Sequence, residues 1–189
     1  MTQPTLDLNA GITSRMPDAG ARRTRLREFQ TQLVERMQAA TSGTAAQARQ
    51  LGVMIGQSRW LLNLQEAGEI VPVGTIAKVP LTQDWFLGLT NIRGNLISVV
   101  DLARFSGMPA TPIDKESRIV AFAPALGFNC GLLVSRVMGL RNVSEMTSQP
   151  GDADVPWAAQ RHADRDSHLW TELNLSSIVQ DPRFLHVGL

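Results

Sequence analysis

Apolar residues in this chain come in short runs split by turn residues, and one stretch alone carries them at a helical period. In residues 22–40, Leu26, Phe29, Leu33, Val34 and Met37 fall at i, i+3, i+7, i+8 and i+11. Such spacing places them on one helix face, with Arg22, Arg23, Arg25, Arg27 and Arg36 beside it. Residues 1–20, rich in Thr, Pro, Asp, Gly and Ala, read as a disordered tail. Thr41-Ser42-Gly43-Thr44 breaks the helix, and a short helical or irregular piece runs on to Gln50. From Leu51 the texture is that of short strands. Leu51–Ile55 and Trp60–Leu64 flank the turn Gly56-Gln57-Ser58. Ile70–Val73 contains Pro72, which has no N–H for a ladder and is expected at an edge or a strand end. Ile76–Val79 follows the break at Gly74-Thr75.

The segment WFLGLTNIRGNLISVVDLARFSG, Trp85 to Gly107, holds two apolar runs, Phe86–Thr90 and Leu96–Val100. Gly94-Asn95 between them reads as a hairpin turn with glycine at the first central position. Asp101 is placed to cap a short helix, Leu102–Ser106, stopped by Gly107 and barred by Pro109. A second strand–turn–strand unit follows, Ile119–Ala123, Pro124-Ala125-Leu126-Gly127 and Phe128–Val134, and Val137–Met146 reads as a further strand. Residues 149–166 are polar and acidic, with Pro150, Gly151 and Pro156, and read as a long loop. Leu169–Leu173 reads as a strand, and Asn174 as the cap of a short helix ended by Pro182. Many short strands with turn signals predict two small antiparallel β-barrels in one body.

Composition narrows the function classes. The chain has 189 residues, 19% charged, with a net charge of +1, which gives no global field to draw nucleic acid or an anionic membrane. One cysteine, Cys130, permits neither an intrachain disulfide nor a cysteine zinc finger. Three histidines make a histidine-driven enzyme a poor reading. No G-x-S-x-G, P-loop or G-x-G-x-x-G occurs, so nucleophile-elbow and nucleotide-loop chemistry have no motif. The polar Met1–Ala10 lacks an apolar signal core, and no apolar run approaches the roughly 20 residues that span a bilayer. A cytoplasmic protein is the reading.

Four groups of residues carry candidate chemistry. His162, Asp164, Asp166 and His168 alternate and would share one strand face, as metal ligands can, although a solvated acidic loop gives the same pattern. Cys130, between Asn129 and Gly131 in an apolar run, lacks the positive surroundings of a reactive thiol. The basic helix at 22–40 could dock on its own body, on a partner, or on nucleic acid or lipid, although Glu28 and Glu35 offset two of its arginines. Glu69 and Arg93 each stand in an apolar β context, where a lone charge is costly, so they are candidates to satisfy each other.

At this point the Trp85–Gly107 segment resembles the signature of CheW-like domains: an apolar run, N-[LI]-R-G, an apolar strand, then D-L and a short helix. Glu69 stands 24 residues ahead of Arg93, as the family's glutamate does, and Trp60 stands nine ahead of Glu69, where the family has an aromatic. RIVAFAPALGFNCGLLVSRVMGL and WTELNLSSIV resemble the opening of the family's second barrel and its closing strand and helix, so the likeness covers about residues 50–181. Two positions depart from the pattern: Ser135 replaces an aspartate, and Ala67 a branched apolar residue that helps contact partners. The N-terminal extension and the 149–166 segment resemble the type IV pilus (twitching motility, PilI) branch.

The resemblance implies a mainly β fold of two intertwined SH3-like five-stranded barrels, with an N-terminal helical extension at 1–48 and a coupling domain at 49–189 that ends in a short helix. It implies no catalysis, no cofactor and no metal. The implied partners are the regulatory domain of a CheA-type histidine kinase and the cytoplasmic tip of a methyl-accepting chemoreceptor, with no nucleic acid and no membrane insertion. The implied location is cytoplasmic, recruited to polar chemosensory arrays. Partner contact is expected at Glu69, Asn91, Ile92, Arg93, Gly94 and Ala67. Three other readings are weighed against this one: a coupling protein of a flagellar system, a small metal-dependent hydrolase using His162, Asp164 and His168, and a nucleic-acid module using residues 22–40.

Overall fold

The computed structural model describes residues 49–151, 155–158 and 160–189. The tail and helix expected within 1–48 lie outside these residues. Strands β1 (Arg49–Ile55) and β2 (Ser58–Asn63) form the first hairpin. β3 (Ala67–Pro72), β4 (Phe86–Ile92), β5 (Asn95–Val100), β6 (Arg118–Phe122) and β7 (Cys130–Val134) follow. β8 (Arg136–Asn142), β9 (Thr147–Pro150), β10 (Gln160–Ala163) and β11 (Leu169–Leu173) complete the strands. Three one-turn helices accompany them: α1 (Leu102–Phe105), α2 (Leu175–Ile178) and α3 (Pro182–Leu185).

The strands form two sheets, of order β8-β1-β2-β11-β10-β9 and β3-β6-β7-β5-β4. Each is antiparallel except for one pair, β2 with β11 and β5 with β7. The sheets are thus mixed rather than antiparallel, and one has six strands rather than five. The smaller sheet closes on itself. Beyond β3 the chain runs along β4, where Ala77 and Leu89 exchange backbone hydrogen bonds at 2.7 and 2.9 Å. The Thr90 hydroxyl also donates to the Thr75 carbonyl at 2.9 Å, so the β3 and β4 edges meet. The edges of the larger sheet, β8 and β9, are consecutive in the chain, joined by a 3-10 turn at Val143–Glu145. The larger sheet takes β1 and β2 from before the smaller one and β8–β11 from after it, which is the sense in which the halves interlock.

The main core lies between the sheets. Val53, Ile55 and Leu62 from one meet Val120, Leu132 and Val134 from the other, all buried, with Leu102, Leu175, Ile178 and Phe184 of the short helices. Trp60 belongs to this core, stacked on Trp157 with ring centroids 6.1 Å apart. A smaller cluster fills the five-stranded sheet: Ile92, Val99, Ile119, Ala121 and Leu133. Burying such aliphatic side chains supplies roughly 1.5–3 kcal/mol each.

Local signals account for most of the elements. Asp101 caps α1 through the Ala103 N–H at 3.1 Å, and Asn174 caps α2 through the Ser177 N–H at 2.7 Å. Pro72 ends β3, an edge strand in the hydrogen-bonded order. Three expectations are corrected. The 149–166 segment is not one loop, because β9 and β10 pair within it and Trp157 is buried in it. Every side chain of β9 is exposed, so no apolar alternation marked that strand. Pro182 does not merely end α2: it opens α3 behind the cap Asp181, a first-turn position where its missing N–H costs nothing. The strand expected to reach Met146 stops at Asn142, which caps the 3-10 turn.

Candidate functional site

The β4–β5 hairpin pairs Ile92 with Asn95, so its turn is Arg93-Gly94, one residue earlier than expected from the Gly-Asn pair. Both turn residues have positive φ, +49° for Arg93 and +89° for Gly94, the pattern of a type I′ turn. Glycine adopts this freely. For arginine it costs about 1–3 kcal/mol. The Asn91 side-chain oxygen accepts from the Gly94 N–H at 2.8 Å and holds the turn, and Ile92 anchors it in the smaller core.

The facing strand is shaped to match. β3 pairs with β6 through a register shift between Ala67 and Ile70, which places Gly68 and Glu69 in a bulge. Only a glycine fits at 68, because a Cβ there would lie 2.9 Å from the Phe122 carbonyl oxygen. The bulge re-aims Glu69 out of the ladder. Its Oε1 meets Nη2 of Arg93 at 2.8 Å. The expected pairing of Glu69 with Arg93 is therefore present, but at the surface rather than in an apolar interior: the side chains are 34% and 79% exposed. Ion pairs so exposed contribute about 0.2–1 kcal/mol, less than the upper range of the turn's cost.

Beneath the pair is a pocket of about 200 Å³, lined by Glu69, Val71, Gly74, Asn91, Ile92, Arg93 and Ile119 among others. Of the expected contact residues, Glu69, Asn91, Ile92 and Arg93 line it. Gly94 sits exposed in the turn, and Ala67 lies outside the pocket, paired with Phe122 and packed on the main core. Sequence reasoning passed over Val71, Gly74, Thr90 and Ile119: Val71 and Ile119 are partners across β3 and β6, Gly74 follows β3, and closure of the small sheet brings Thr90 of β4 to them.

The acidic segment behaves otherwise. Asp164, Asp166 and His168 do cluster, with ligand atoms within 4.8 Å of one another, and His162 stands outside the group. His162 is buried and faces Glu172 at 3.2 Å without the alignment of a hydrogen bond. Asp164 is committed to the β10–β11 turn. Its Oδ1 accepts from the N–H groups of Asp166 and His168 at 3.0 and 2.8 Å, and its Oδ2 accepts from the Trp170 indole at 2.9 Å. The indole, followed by the backbone donors and His168, holds its carboxyl down at about 2. The trio of the hydrolase reading, His162, Asp164 and His168, is therefore not assembled. Cys130 is buried, and desolvation pushes its thiol up to about 12, as suits an inert core residue. Residues 22–40, which carry the nucleic-acid reading, lie outside the described residues. Among the described residues no helix is long and apolar enough to cross a membrane.

The model of the CheW-like domain matches residues 49–183, well over half of the chain. The chain belongs to the CheW-like domain family. Members of this family are non-catalytic scaffold proteins. Protein PilI of Pseudomonas aeruginosa is 27% identical over 92 residues, 49% of this chain and 51% of that protein. Chemotaxis protein CheV3 of Helicobacter pylori is 25% identical over 89 residues, 47% of this chain and 29% of that protein. The chain thus spans about half, or less, of the length of these curated relatives. The crystal structure of the scaffolding protein TtCheW from Thermoanaerobacter tengcongensis superposes with a TM-score of 0.57 at 21% identity, over 68% of this chain and 89% of that one, a likeness of fold.

Proposed function

We propose that this CheW-like scaffold couples a chemoreceptor to a CheA-type histidine kinase, and that it serves the array controlling type IV pilus twitching motility. The observation that carries the reading is the Arg93–Glu69 corner. An exposed, left-handed arginine and a bulged glutamate are brought together over a pocket at the seam where the small sheet closes. Residues held in costly conformations at a surface point to recognition rather than to stability. The partners are the kinase regulatory domain and the receptor's cytoplasmic tip, and the location follows from them: the cytoplasmic face of a membrane array. The similarity to PilI supports the pilus branch.

The test is binding of the full chain to each partner domain, followed by motility of a deletion strain. Capture of both partners with loss of twitching and intact swimming is expected. Binding of neither partner overturns the coupling function. Loss of swimming with intact twitching moves the protein to a flagellar system.

A further inference from the structure

The pocket under the Arg93–Glu69 pair has a floor and a rim of different chemistry. Its floor is aliphatic: Val71 is half-buried, and Ile92 and Ile119 belong to the small core. Its rim carries the two charges. At about 200 Å³ it exceeds the ~150 Å³ that admits a benzene-sized apolar group, so it has room for one aliphatic side chain and little more. The charges are unequally available. Glu69 is two-thirds covered and already engaged, while Arg93 is 79% exposed. A guanidinium has five N–H donors in a rigid fork, and a single contact to Glu69 leaves most of them free for a second carboxylate. The backbone at Arg93 is the left-handed one that asparagine or glycine fills at least cost, and the exposed ion pair returns little.

We propose that this pocket receives one aliphatic side chain of a protein partner, that Arg93 takes a carboxylate standing beside that side chain, and that the strained turn is kept to hold the guanidinium over the pocket. The inference rests on the coupling reading above and names the chemistry of its docking point. Charge complementarity selects the occupant: an exposed cation at the rim of an apolar hole fits an acidic–aliphatic pair and rejects a basic surface.

Two substitutions test the proposal. Gly74 lines the pocket, a Cβ added there meets nothing within 4 Å, and its backbone is not left-handed. Gly74→Leu therefore adds an aliphatic side chain at the pocket wall without crowding the fold. Arg93→Asn keeps the turn and removes the guanidinium. The full chain and both variants are titrated against the isolated kinase regulatory domain and the isolated receptor tip, at low and high salt, with melting temperatures recorded. Each variant is expected to weaken binding to the same probe tenfold or more. Arg93→Asn is expected to melt at or a few degrees above the wild type, and its residual binding to lose most of the salt dependence seen in the wild type. Wild-type affinity in either variant overturns the pocket. A melting temperature several degrees lower in Arg93→Asn overturns the strain. Wild-type protein that binds neither probe defeats the coupling reading, and the docking point falls with it; wild-type binding with unaffected variants defeats the docking point alone.

Discussion

Arg93 and Asp101 stand eight residues apart in one motif block and occupy opposite physical regimes. Asp101 is 1% exposed. Its carboxylate accepts from the Ala103 N–H, the Thr111 N–H at 2.8 Å and the Thr111 hydroxyl at 2.7 Å, and the same hydroxyl accepts from the Gly56 N–H at 3.1 Å. One buried acid thus ties the α1 start, the loop beyond it and the β1–β2 turn into a network with its donors met. Arg93 is exposed, sits on a costly backbone and makes one surface ion pair. The contrast separates two places a charged residue can hold in a signature: one ties elements together from the interior, and the other stands exposed at the surface.

The comparison can be broken at either end. The largest effect is expected for Asp101→Ala, which leaves three buried donors unmet and removes a cap. A loss of about 3 kcal/mol in urea unfolding is expected, and a loss under about 1 kcal/mol would deny the network its role. Glu66 comes next. Its side chain caps α2 through the Leu175 N–H at 2.9 Å and the Ser176 hydroxyl, while its carbonyl accepts from the Ala123 N–H at 2.7 Å. Glu66→Ala is expected to cost about 1–2 kcal/mol by the same measurement. Asp164 has a smaller effect that appears with pH. Its folded pKa, about 2, lies below the ordinary 3.8, so its contribution is present above pH ~4 and is lost as pH falls toward 2. Melting curves of wild type and Asp164→Asn should therefore converge across that window, and a constant gap would contradict the assignment. The smallest effect is Glu69→Gln, within about 0.5 kcal/mol of wild type, as befits an exposed pair. A loss above 2 kcal/mol would place the Arg93–Glu69 corner with Asp101 among the structural charges.

Legibility in the sequence followed side-chain burial. β1, β2, β6, β7 and β11 were readable as short apolar runs between polar or turn segments, and the Glu69–Arg93 pairing was anticipated from the cost of a lone charge in an apolar context, although the pair lies at the surface. β9 was not, because an exposed edge strand has no face to bury. The hairpin turn was placed one residue late because glycine was given the first turn position, which Arg93 occupies at φ +49°. The pocket had no local sequence signal: β3 and β6 are ladder neighbours from distant parts of the chain, and β4 joins them only where the small sheet closes. Asp101 was legible as a cap, but its hold on Thr111, ten residues on, was not.

The parallel pairing of β2 with β11 has a consequence for biosynthesis. β2 is made before β3–β10, yet its neighbour, Leu169–Leu173, is made after all of them. The β3–β7 barrel is contiguous and can be finished while the first hairpin still waits for β8 on one flank and β11 on the other. A nascent chain halted before Leu169 would present a completed half and a hairpin paired with β8 but open along β2, a form well suited to capture by chaperones.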